Sequence, residues 1–109
     1  MDQEFRKMTT SKIAVAGIFF ALSAWAQKDA KDIYLDKCSV CHGADGLGKT
    51  AKGRKLKVKD VHETAAKLSA VDMIKIVENG KGSDMDAYGK ELSKEQIMAV
   101  VNYYRSLGK

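Results

Sequence analysis

Apolar residues fall along the chain in four stretches, one continuous and three periodic. The continuous one, Ile13 to Leu22 (I-A-V-A-G-I-F-F-A-L), follows the basic residues Arg6, Lys7 and Lys12 and leads into Ala24-Trp25-Ala26. From about Asp29 to Cys41, the residues Ala30, Tyr34, Cys38 and Cys41 recur at four, four and three positions, which places them on one helical face. Gly43 then ends that helix, and Gly43 to Gly48 reads as a loop. A second helix is predicted from about Ala70 to Asn79. Ala70, Met73, Ile74 and Val77 follow the i, i+3, i+4, i+7 rule; Ser69 is its N-cap and Gly80 stands just past its end. A third begins at a capping box of Ser93 and Gln96 and ends before Gly108. Its apolar stripe is Ile97, Val100, Val101, Tyr104 and Leu107, widened by Met98 and Tyr103. No segment sustains strand alternation, since Val58 to Val61 is too short and too charged. The expectation is an all-α domain of three main helices.

The continuous apolar run does not belong to that domain. A basic start, a short apolar middle and a small-residue exit of the A-x-A kind make a secretory signal peptide, with cleavage after Ala26. The competing reading is an uncleaved anchor, but a spanning helix needs about 20 apolar residues, and Ile13 to Ala26 offers 14. The expected division is therefore a leader over residues 1–26 and one domain over 27–109, exported to the periplasm or beyond. A domain of this size buries only about 60% of its unfolded surface and needs a staple. The two cysteines, three residues apart, would close almost no loop as a disulfide. The staple must be something else.

Charge adds a weaker constraint. The leader holds three of the 19 basic and two of the 14 acidic residues, leaving 16 against 12 and a net of +4. That excess suits an acidic protein partner or peripheral contact with an anionic membrane; export argues against nucleic acid.

Cys38-Ser39-Val40-Cys41-His42 is the C-x-x-C-H pattern of covalent haem attachment. Two cysteines three apart project from the same side of a helical turn, so both sulfurs can reach the vinyl groups of one porphyrin. The histidine directly after them falls beneath the ring centre, where its nitrogen can bind iron. A large apolar macrocycle also supplies the staple. A structural zinc site would need four ligands, and His62 offers no H-x3–5-H half. A dithiol oxidoreductase would want strands beside its C-x-x-C, and none is expected.

From Ala30 to Leu107 the chain resembles a class I monohaem cytochrome c of the short bacterial, cytochrome c6-like type. The resemblance rests on Ala30 to Cys38, on C-S-V-C-H-G-A-D-G-L-G-K-T, on Glu78 to Gly89, and on Leu92 to Leu107. It implies a small fold wrapped around one haem c, with the first and last helices crossing at Ala30 and Tyr34 against Val100 and Tyr103. It also makes Met85, in the glycine-flanked loop Gly80 to Gly89, the distal iron ligand opposite His42. A thioether with a histidine raises the potential above that of two histidines. The family usually has proline after this methionine. Here Asp86 replaces it, which points to a less rigid loop. Met73 and Met98 read as core, and His62 as a solvated surface residue. A ligating histidine normally donates its other ring N–H to a fixed acceptor; with no proline in the chain, a carbonyl near Lys57-Val58 is expected to accept.

The function this implies is one-electron transfer between redox proteins, with no small-molecule substrate and no catalytic residue. The alternative is the same domain as the haem-bearing subunit of a periplasmic dehydrogenase or oxidase complex. Lys49, Lys52, Arg54, Lys55, Lys57 and Lys59 cluster directly after the haem motif, with Lys81 and Lys90 flanking the Met85 loop. They form a candidate docking face for an acidic partner.

Overall fold

The structure is a computed structural model that describes residues 30–109. The leader expected over residues 1–26, with its expected cleavage site, lies outside the described residues. Five helical elements succeed one another along the described residues. We label them α1 (residues 30–42), α2 (Ala51–Lys55), α3 (Val61–Lys67), α4 (Ala70–Asn79) and α5 (Lys94–Ser106). Among the described residues there is no strand, only an isolated antiparallel bridge between Lys81 and Met85. The domain is all-α, as expected.

α4 and α5 begin where their capping boxes place them. The Ser69 side chain accepts from the Asp72 amide and Asp72 returns the bond, and Ser93 and Gln96 do the same. Each box satisfies two of the amides that a helix start leaves without partners. α1 departs from expectation. Between Tyr34 and Cys38 it widens into a π-helical turn, with the Ser39 amide donating to the Tyr34 carbonyl. One extra residue in a turn shifts the phase of the residues after it, so the single face expected for Ala30, Tyr34, Cys38 and Cys41 does not run straight. Ala30 and Tyr34 are buried, whereas Cys38 and Cys41 are only half-buried.

The short helices α2 and α3 are additions to the three expected, and each rests on one polar side chain. Thr50 caps α2 by accepting from the Gly53 amide, while its hydroxyl donates to the Val40 carbonyl at 2.7 Å. That hydroxyl thus ties the end of α1 to the start of α2. The two backbones meet closely: a Cβ at Gly53 would lie 2.3 Å from the Cys41 carbonyl oxygen. Asp60 caps α3 through the His62 amide, and the Val61 amide donates to the Gly46 carbonyl at 2.9 Å. Val61, fully buried, anchors α3 over the glycine loop.

α5 runs through the middle of the core. Ile97, Val100, Val101 and Tyr104 are buried, packed with Tyr34, Met73 and Leu92. Tyr34 meets Tyr103 with ring centroids 5.2 Å apart and Tyr104 at 6.2 Å. The crossing of first and last helices is therefore aromatic, with Tyr104 a participant alongside Tyr103. Met98, expected in the core, is 52% exposed. It stands one residue after Ile97, about 100° around the helix, and that step carries it off the buried stripe.

After α4 the chain folds back as a tight loop. The Lys81 amide donates to the Met85 carbonyl at 2.8 Å, and the Tyr88 and Gly89 amides donate to the Val77 and Glu78 carbonyls of α4. Gly80 and Gly82 both have positive φ, 74° and 58°.

This packing makes the two loop glycines unequal. Gly82→Ala should cost about 1 kcal/mol, the left-handed penalty alone, because a Cβ there meets nothing. Gly80→Ala should cost about 2–3 kcal/mol, since its φ of 74° with ψ of −175° lies in a region kept almost to glycine and its Cβ would sit 2.7 Å from the Met85 carbonyl oxygen. Denaturant unfolding of the two variants measures the difference. Tyr34 offers a second test. Its hydroxyl donates to the Gly43 carbonyl at 2.7 Å, and burial pushes its phenol well above the ordinary value. A raised folded value means that the stability from the neutral phenol is complete below pH about 10 and is lost as pH rises past it. Tyr34→Phe should lose about 1 kcal/mol at neutral pH and show a shallower stability loss above pH about 10, read from unfolding midpoints across that range.

Candidate functional site

The cysteine motif closes α1, and the π-helical turn before it decides how the motif is presented. Tyr34, Cys38 and His42 of α1 form one wall of an apolar cleft. Thr64 and Leu68, Met73, Ile76 and Val77 of α4, and Val100, Val101 and Tyr104 of α5 complete it, with Met85 contributed by the loop. Met85, more than forty residues further along the chain, thus shares one lining with Cys38 and His42. Cys41 is half-buried but does not line the cleft.

The polar atoms of this cleft are few and two of them are unpaired. The His42 Nδ1 atom and the Tyr104 hydroxyl are buried without a hydrogen-bond partner. The acceptor expected for His42 near Lys57-Val58 is therefore not in place. The Val58 carbonyl instead packs against Gly48, whose Cβ would lie 2.7 Å from it. The His42 ring stands edge-on to Tyr104, centroids 5.2 Å apart. Burial lowers the His42 imidazole below its ordinary value, so the ring is neutral at physiological pH. A neutral imidazole is the form that binds a metal. Buried polar atoms without partners are costly in a finished core, and an apolar cleft lined by one neutral imidazole and by the methionines Met73 and Met85 suits a large flat apolar guest with iron at its centre.

Burial also pushes the free Cys38 thiol up to about 11. A dithiol nucleophile needs the opposite shift, toward thiolate at neutral pH. Among the described residues no three His, Cys, Asp or Glu side chains converge as a metal cage. His62 is exposed, its Nδ1 2.7 Å from the Asp60 carboxylate, outside the cleft lining. Met73 is buried in the core. The basic residues Lys49, Lys52, Arg54, Lys55, Lys57 and Lys59 are all exposed. Sequence reasoning missed Tyr104 as a neighbour of His42; its place on the α5 stripe showed burial, not its partner.

Comparison with known proteins agrees with this chemistry. A protein of Azorhizobium caulinodans described as Cbb3-type cytochrome c oxidase subunit FixP is 29% identical over 83 residues, which cover 76% of this chain and 28% of that protein. The chain thus spans little more than a quarter of the length of this relative. A solved structure described as the KustC0563 c-type cytochrome matches with a TM-score of 0.68 at 29% identity, covering 73% of this chain and 98% of that one. The family model for cytochrome c oxidase, cbb3-type, subunit III matches residues 26–103. The chain belongs to that family, and its domain is a small all-α c-type cytochrome whose cofactor is covalently bound haem c.

Proposed function

We propose that Cys38 and Cys41 hold the haem through thioether bonds, that His42 and Met85 ligate its iron, and that the domain passes single electrons between exported redox partners. The observation that carries this reading is the meeting of Cys38, His42 and Met85 on one apolar cleft. Bound haem supplies an iron centre that takes up and releases one electron. The chain's own residues do the rest. The α1 helix presents the thiols and the imidazole from one short segment, and the apolar wall of α4 and α5 keeps water from the ring. With His42 and Met85 both holding the iron, no ligand would have to bind or leave for an electron to pass. The leader of residues 1–26 supports export, where haem attachment to C-x-x-C-H and a periplasmic role are compatible. No helix among the described residues is long and apolar enough to cross a membrane.

Electron delivery needs a docking face. Val40, inside the haem motif, and Leu35, on the same helix, are exposed apolar residues, at 54% and 40%. The six cations between Lys49 and Lys59 lie in the segment packed against the end of α1, and Lys81 and Lys90 are exposed around the Met85 loop. An apolar spot beside a cationic field suits an acidic protein partner, the charges steering encounter and the apolar spot making contact. A second reading is favoured by the matched family and by the FixP relative, both named for an oxidase subunit. On that reading the same domain relays electrons as a subunit of a membrane-bound complex, and it would co-purify with that complex from native membranes.

Protein matured with its haem should retain the haem through denaturation and acid–acetone extraction. Cys38→Ala with Cys41→Ala should release all of it; full retention in that double variant would sink the attachment assignment. Electron transfer to the native partner should slow severalfold as salt rises past about 0.1 M, where the screening length is near 10 Å. Reversing Lys55 and Lys57 to Glu should slow it at low salt and leave the optical spectrum unchanged. A rate indifferent to both changes would return these lysines to a role in solubility.

A further inference from the structure

Lys37, the residue immediately before the haem motif, is gripped twice by the loop that carries Met85. Its backbone carbonyl accepts a hydrogen bond from the Tyr88 hydroxyl at 3.3 Å, across 51 residues of sequence. Its ammonium pairs with the Glu91 carboxylate, across 54 residues. Tyr88 and Glu91 are brought together by a turn in which the Glu91 and Leu92 amides donate to the Tyr88 carbonyl, at 3.1 and 2.9 Å. The loop's backbone anchors run elsewhere: the Tyr88 and Gly89 amides hold it to Val77 and Glu78 of α4. Tyr88 and Glu91 therefore join the loop to α1, and α1 is the wall that carries Cys38 and His42.

We propose that Tyr88 and Glu91 are positioning residues, which close the Met85 loop on the haem motif by holding Lys37 from two sides. The proposal rests on the reading of Met85 as an iron ligand. Asp86 stands directly after Met85 where a proline would stiffen the loop, and the clamp supplies from outside the loop a constraint that its backbone lacks. Tyr88 is half-buried, and desolvation raises its phenol above the ordinary value, so the hydroxyl keeps its proton for the bond to Lys37. Exposed ion pairs add little to global stability. The clamp should accordingly act on the loop, not on the fold as a whole.

The test compares haem-loaded wild type with Tyr88→Phe, Glu91→Gln, the two combined, and Met85→Ala. Each is followed by the weak far-red methionine–iron band of the ferric state, by carbon monoxide binding to the ferrous state, and by the helical circular dichroism signal. Tyr88→Phe keeps the ring and its packing and removes only the hydroxyl. In both single variants and their combination, the band should fade on heating well before helix is lost. The combined variant should bind carbon monoxide roughly tenfold faster than wild type, the scale of one lost hydrogen bond. Lys37→Glu should behave like Glu91→Gln, and adding Glu91→Lys should restore the wild-type band. Clamp variants that match wild type in band and carbon monoxide binding, or that lose band and helix together, overturn the proposal. Met85→Ala separates the two claims. If the band survives that change, the ligand assignment fails and the clamp proposal falls with it. If the band is lost there while the clamp variants match wild type, only the clamp is refuted.

Discussion

Tyr34 packs its ring against Tyr103 and Tyr104 where the first and last helices cross, and the rest of the domain takes its position from that contact. The same side chain reaches forward with its hydroxyl to the Gly43 carbonyl, at the far end of the haem motif. One residue thus fixes α1 against α5 and also sets where Cys38, Cys41 and His42 are held. The cost is a buried phenol, offset by one short hydrogen bond and by aromatic burial on both sides. Tyr104 extends the arrangement by standing edge-on to His42, so the crossing and the site share a side chain.

Around this crossing the protein core is small. Its buried side chains lie mainly on one stripe of α5 and on the residues that touch that stripe, and beside it is an apolar cleft. A domain of this size is marginal on its own burial. On the proposed reading, covalently bound haem c would fill this cleft as the centre of the core, so that few other buried residues suffice. His42 and Tyr104, whose Nδ1 and hydroxyl are buried without partners, both line that cleft.

Different parts of this design are legible in the chain to different degrees. α4 and α5 can be placed closely because capping boxes and glycine punctuation are local signals, carried by Ser69 with Asp72, Ser93 with Gln96, and Gly80. The haem motif is legible for a different reason, since C-x-x-C-H has few other uses, whereas the role expected of Met85 comes from the family resemblance alone. The π-helical turn at Tyr34–Cys38 is not legible, because one extra residue in a turn leaves no mark in composition. Nor are α2 and α3, five and seven residues long, too short to show a period and held by Thr50 and Asp60. Met98 is misread as core because it adjoins Ile97 in a dense apolar run, where periodicity cannot say which neighbour faces inward. The grip of Tyr88 and Glu91 on Lys37 spans more than fifty residues, and no pattern in one chain announces such a pairing.

The central claim is that His42 and Met85 meet the same iron from two distant segments. Iron-edge X-ray absorption of the haem-loaded protein tests this directly, because the first coordination shell distinguishes sulfur from nitrogen. The expected result is one sulfur neighbour in addition to nitrogens in the wild type, and its loss in Met85→Ala with the nitrogen shell of ring and His42 kept. A shell of nitrogen alone in the wild type, or a sulfur that persists without Met85, would contradict it.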